Sequence, residues 1–83
     1  MNISLDFDET YTRDPEMWDL FVALAQSRGH TVYCVTAREP FLKFKEEVYK
    51  TIGKQIGERN CYFTDGSAKE RFMFDRGILI DVW

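Results

Sequence analysis

The apolar positions of this chain fall into short runs separated by polar turns, and each run reads as one element. The apolar-leaning stretch Asn2-Ile3-Ser4-Leu5 opens a first strand expected over residues 2–7. Asp14-Pro15-Glu16 then supplies an N-cap, a proline suited to the first helical position and an acid in the first turn. The helix they open, over residues 15–28, carries Trp18, Phe21, Val22 and Ala25 on one stripe and ends at Gly29. Residues 30–36, His-Thr-Val-Tyr-Cys-Val-Thr, are rich in β-branched and aromatic types, as a buried strand requires. A second helix is expected from near Pro40 through residues 41–52, loosened at its end by Gly53 and Gly57. Residues 60–64 make a short strand, Asp65-Gly66-Ser67 a turn, residues 68–76 a third helix and residues 78–83 a last strand.

The order is therefore β-α-β-α-β-α-β. Such alternation predicts an α/β fold: right-handed crossovers and a mainly parallel sheet of about four strands, covered by about three helices. Ligands of such sheets bind outside the carboxyl ends of the strands. One crevice is then expected to collect Asp6 and Asp8, Thr36, and Thr64 and Asp65, with Lys69 at the start of the helix that leaves the third strand. A buried carboxylate without a partner is costly, so Asp6 and Asp8 need either solvent or a cation beside them.

Composition narrows the classes. Eighty-three residues allow a single domain, and 45% hydrophobic with 16% aromatic residues suits a packed core rather than disorder. A net charge of −3 and the absence of a long basic run give no general attraction to nucleic acid. Cys34 and Cys61 lie in apolar stretches without CxxC spacing and read as buried thiols of a reducing compartment. No signal peptide or transmembrane run is evident, so a cytoplasmic location without a membrane partner is expected. Lys43, Lys45, Lys50 and Lys54, interleaved with Glu46 and Glu47, read as a solvated helix face, and His30 as a surface residue. Trp18, Phe21, Phe41, Phe44, Phe72 and Phe74 are expected in the core rather than as stacking platforms.

The stretch Leu5-Asp6-Phe7-Asp8-Glu9-Thr10 resembles the first motif of the haloacid dehalogenase (HAD) superfamily: an acid, any residue, an acid, any residue, then threonine. Thr36, in Cys34-Val35-Thr36-Ala37-Arg38, matches the second motif, and Lys69 matches the third. The resemblance covers residues 2–83, and the small size is similar to stand-alone members common in bacteriophage genomes. It implies a three-layer Rossmann-like fold with strand order 4-1-2-3. It also implies Asp6 as the nucleophile that forms an aspartyl-phosphate, and Asp8 as the group that protonates the leaving oxygen and later activates water. Magnesium would be bound through the Asp6 carboxylate and the Asp8 backbone carbonyl. Thr10, Thr36, Arg38 and Lys69 would face the phosphorylated substrate, Thr36 hydrogen-bonding a phosphoryl oxygen and Lys69 balancing charge, while Arg38 could fork onto a phosphate.

The family also carries a fourth acidic motif at the end of strand four, where Asp81 is the only acid. From Gly29 to Thr36 is seven residues, whereas Asp81 follows Gly77 by four. At 3.3 Å per residue it would fall about 10 Å short of the crevice. Asp81 is thus expected not to be a metal ligand, and the chain to be a single capless domain that ends before the metal-binding acids. Two functions follow. One is a magnesium-dependent phosphohydrolase acting on a phosphomonoester, a nucleotide or an end-phosphorylated nucleic acid, because a site without a cap is open. The alternative is a catalytically degenerate HAD-like protein that sequesters a nucleotide or phosphorylated signalling molecule, in a phage setting an anti-defence protein working in the host cytoplasm. A pure interaction module is weaker, since it leaves the converging Asp6, Asp8, Thr36 and Lys69 without a reason. An exposed last strand carrying Ile78, Leu79, Ile80, Val82 and Trp83 further suggests a homo-oligomer, most simply a twofold dimer.

Overall fold

Three short strands carry the core of the computed structural model, which describes residues 1–83. β1 (Asn2–Leu5), β2 (Thr31–Thr36) and β3 (Cys61–Phe63) form a parallel sheet in the order β1-β2-β3. Leu5 pairs with Cys34 and Cys34 with Cys61, so one row crosses the whole sheet. Parallel pairing needs a crossover after each strand. α1 (Pro15–Ser27) crosses from β1 to β2, and α2 (Leu42–Lys50) with α3 (Ile52–Ile56) from β2 to β3. α4 (Lys69–Asp75) follows β3, and 3₁₀ turns occupy Tyr11–Arg13 and Glu58–Asn60. No helix is long and apolar enough to cross a membrane.

The two sheet faces are unequally covered. Ile3, Leu5, Val32, Cys34, Cys61 and Phe63 join Phe7, Val22, Val48, Ile52 and Ile56 in one cluster beneath α1, α2 and α3. Alternation sends Tyr33 and Tyr62 to the other face, where Tyr62 meets Phe72 of α4 edge-on at 6.3 Å. Trp18 packs against the core, but Phe21, Phe41 and Phe74 are exposed, contrary to the reading of the aromatics as core. Three strands offer too little apolar area to cover them all.

The expected fourth strand is reduced to one parallel bridge, Ile3 to Val82, on the side of β1 away from β2. Ser4 N donates to Val82 O at 2.8 Å, and Asp81 N to Asn2 O at 2.8 Å. Side chains take over the rest of that contact: Asn2 N donates to Asp81 Oδ2 at 2.7 Å and Asn2 Nδ2 to Leu79 O at 2.8 Å. The sheet is therefore three-stranded rather than four-stranded, with the C-terminal segment beside β1 through that single bridge. The second helix also differs from its single expected span. It breaks at Thr51, whose Oγ1 donates to Glu47 O at 2.7 Å, giving four α-helices instead of three. Gly53 permits the turn that follows, because a Cβ there would stand 3.1 Å from Val48 O.

Ile52 is fully buried where α3 meets the sheet. Ile52→Ala is expected to lower unfolding free energy by about 2–5 kcal/mol, read by urea denaturation with an unchanged m-value. A loss below about 1 kcal/mol would show that this part of the core repacks freely.

Candidate active site

The carboxyl ends of β1, β2 and β3 deliver Asp6, Thr36 and Thr64 to one side of the sheet. After Leu5 the chain leaves the ladder and folds over Phe7, whose carbonyl accepts from Thr10 N at 3.4 Å and Thr12 N at 3.1 Å. Phe7 is 1% exposed and stacks on Tyr11 at 5.5 Å. With Phe7 committed to the core, its neighbours Asp6 and Asp8 are left toward solvent. Glu9 closes the turn at φ 64, a left-handed conformation uncommon away from glycine.

Two cations meet the two acids. Asp6 Oδ1 accepts from Lys69 Nζ at 2.8 Å and from Phe7 N at 2.9 Å. Lys69 is the first residue of α4, so it reaches back from the end of β3 to the end of β1. Asp8 is held by Arg38 through a two-pronged contact, Nε to Oδ2 at 2.9 Å and Nη2 to Oδ1 at 2.8 Å. Arg38 is further fixed by Glu47 Oε2 at 3.0 Å and Phe44 O at 3.0 Å, with its guanidinium 4.8 Å from the Phe7 ring centre. The Arg38 hydrogen bonds hold the Asp8 carboxyl below its ordinary 3.8, partial burial opposes this, and the charges of Arg38 and Lys69 add to the lowering. The same pair raises the Arg38 guanidinium.

Thr36 is 1% exposed, and its Oγ1 accepts from Arg38 N at 3.3 Å. The loops after β2 and β3 are joined by backbone bonds: Thr64 N to Thr36 O at 2.9 Å, Asp65 N to Arg38 O at 3.2 Å and Gly66 N to Ala37 O at 3.1 Å. Asp65 takes φ 54 within that junction. Thr64 Oγ1 is buried and has no hydrogen-bond partner in the protein. It is a polar group at the crevice end of β3 that a ligand oxygen or water could satisfy.

The structure thus brings together Asp6 with Lys69, and Asp8 with Arg38 and Thr36. Thr10 is set apart from the second group. With Asp6 it lines a groove of about 350 Å³ along the outer edge of β1. A larger hollow of about 470 Å³ lies against Arg38, lined by Ala37, Glu39, Lys43, Phe44 and Glu47, and does not include Asp6 or Lys69. Glu47 was expected on a solvated helix face, and its place beside Arg38 is a difference the structure adds. No spacing signals it, because the lysines around it mimic a plain exposed face. Asp81 is at the start of β1, bonded to Asn2, and not in the crevice.

No group of three or more His, Cys, Asp or Glu side chains is arranged so that it could hold a metal ion. The oxygens suited to magnesium are fewer. Asp6 Oδ2 and the Asp8 carbonyl accept no hydrogen bond within the protein, and both are hard donors of the kind magnesium takes together with water and phosphate oxygens. No family model, curated protein or solved structure matches the chain.

Two outcomes follow. Because the folded Asp8 value is depressed, Asp8 contributes stability above its ordinary 3.8 that is lost as pH falls through the folded value. Arg38→Gln should raise that value toward 3.8, seen by carboxyl NMR titration, and reduce the loss of stability in acid. The Cys61 thiol is pushed up to about 12, chiefly by burial. A thiol reagent at pH 8 should therefore label Cys61 only after unfolding, and rapid labelling of the native protein would contradict its burial.

Proposed function

We propose that this protein is a HAD-type phosphohydrolase acting on a phosphomonoester, with a nucleotide or an end-phosphorylated nucleic acid as the substrate class. The observation that carries the reading is the 2.8 Å contact between Lys69 and Asp6. It neutralises a carboxylate at the strand end while leaving Oδ2 without a hydrogen bond. An Asp6 carboxylate oxygen attacks phosphorus, and the ester P–O bond breaks as its electron pair leaves with the alcohol oxygen, which takes the proton that Asp8 carries into this step. Water then attacks the aspartyl-phosphate, passes its proton to Asp8 and releases inorganic phosphate, restoring the Asp6 carboxylate.

Asp8 is ionised while Arg38 holds it, which suits it to the second step. For the first step it has to carry a proton. A substrate phosphate competes for the same guanidinium fork. When Arg38 turns to the phosphate, Asp8 loses the largest influence that keeps it ionised. Thr36 would donate its hydroxyl proton to a phosphoryl oxygen. Magnesium would be held by Asp6 Oδ2 and the Asp8 carbonyl, and would supply charge neutralisation at the phosphoryl oxygens. A reducing cytosol, the host's for a phage gene, suits two free buried cysteines.

A second reading is favoured by the Arg38 clamp on Asp8, which occupies the guanidinium fork and the carboxylate together. In that reading the crevice holds a nucleotide or phosphorylated signal without cleaving it. Phosphate release from p-nitrophenyl phosphate and a nucleotide panel, with magnesium, separates the two. The hydrolase reading expects turnover that falls by about 10³-fold or more in Asp6→Asn. Tight binding of a phosphorylated compound recovered unaltered, with no turnover on any substrate, would replace it with the second reading.

A further inference from the structure

α1 is apolar on two faces. Trp18, Val22 and Ala25 turn to the core. Met17, Leu20, Phe21 and Leu24 follow the spacing i, i+3, i+4, i+7 on the other side, exposed by 47%, 73%, 37% and 61%. A helix at the surface of a monomer normally needs one apolar stripe, so the second has no partner within the chain. It continues into the groove between α1 and the outer edge of β1, whose walls include Phe21, Val82 and Trp83. The last two are 44% and 50% exposed.

The size of this surface is informative. At 150–250 Å² for a whole aromatic side chain and somewhat less for a large aliphatic one, the exposed parts of these six residues come to about 600 Å². That stands at the upper end for the largest patch of a typical monomer, about 300–600 Å². It is also most of the roughly 800 Å² that each partner contributes to a standard interface.

Charge points to what covers it. Glu16 lies at the amino end of the helix and Arg28 just past its carboxyl end, both exposed and neither ion-paired within the protomer. A twofold axis perpendicular to α1 sets it antiparallel to its own mate. Each Glu16 then approaches Arg28 of the partner subunit, and the helix dipoles oppose favourably. A parallel pair would stack like charges. The stripe is therefore complementary to itself in one orientation.

We propose that the protein is a twofold dimer built on the antiparallel pairing of α1, with Leu20, Phe21 and Leu24 around the axis and Trp83 at the margin. The contact centres on the helix rather than on the C-terminal segment, which makes only one bridge to β1.

Sedimentation equilibrium at micromolar concentration tests this without reference to catalysis, and should give twice the 9.8 kDa protomer mass. Leu20→Lys should weaken the dimer by at least about tenfold with an unchanged circular dichroism spectrum, because Leu20 is the most exposed of the four. Glu16→Arg should weaken it less, and adding Arg28→Glu in the same chain should restore it. A monomer at 100 μM, whether or not it binds lipid vesicles, overturns the proposal. So does a dimer that neither Leu20→Lys nor the charge exchange disturbs.

Discussion

The contact between Lys69 and Asp6 spans 63 positions of sequence and ties the last helix to the end of the first strand. Its physical origin is the burial of Phe7. Once that ring enters the core, the carboxylate before it is held at the core's edge, where an uncompensated charge is costly. The lysine that answers it must come from α4, the only helix on the thin side of the sheet. Asp6 and Lys69 remain 44% and 30% exposed, so water screens the pair and its net contribution to stability is modest. Its larger effect is positional, because it sets α4 against the sheet end and orients one carboxylate oxygen.

The second acid is neutralised differently. Arg38 spends Nε and both terminal nitrogens on four contacts, two of them to Asp8. A lysine could not do the same, since a fork matches a carboxylate and a point charge does not. The crevice thus has one loosely held acid beside a compact ammonium and one firmly held acid beside a planar guanidinium.

What the sequence made legible was local. The Asp14-Pro15 start of α1 is present as expected, with Asp14 Oδ1 accepting from Met17 N at 3.2 Å. The β-branched run at residues 31–36 is β2. Asp6, Thr36 and Lys69 could be read because strand ends and helix starts are marked by their neighbours. The C-terminal strand was not, since Ile78 to Trp83 is apolar enough for a strand, while Asn2 and Asp81 settle the outcome from opposite ends of the chain. Glu47 was hidden for a similar reason. Its partner is nine residues away across a loop whose path no periodicity reports.

The backbone bonds joining the loops after β2 and β3 have a dynamic consequence. With Thr36, Ala37 and Arg38 each tied by a carbonyl to residues 64–66, the crevice floor moves as one body or not at all. A lid that opens by swinging one loop would have to break three hydrogen bonds together. Rearrangement at Arg38 is therefore left to its torsion angles, and rotamer exchange is faster than collective loop displacement. Motion at Arg38 is thus a side chain turning on a backbone that three hydrogen bonds hold in place.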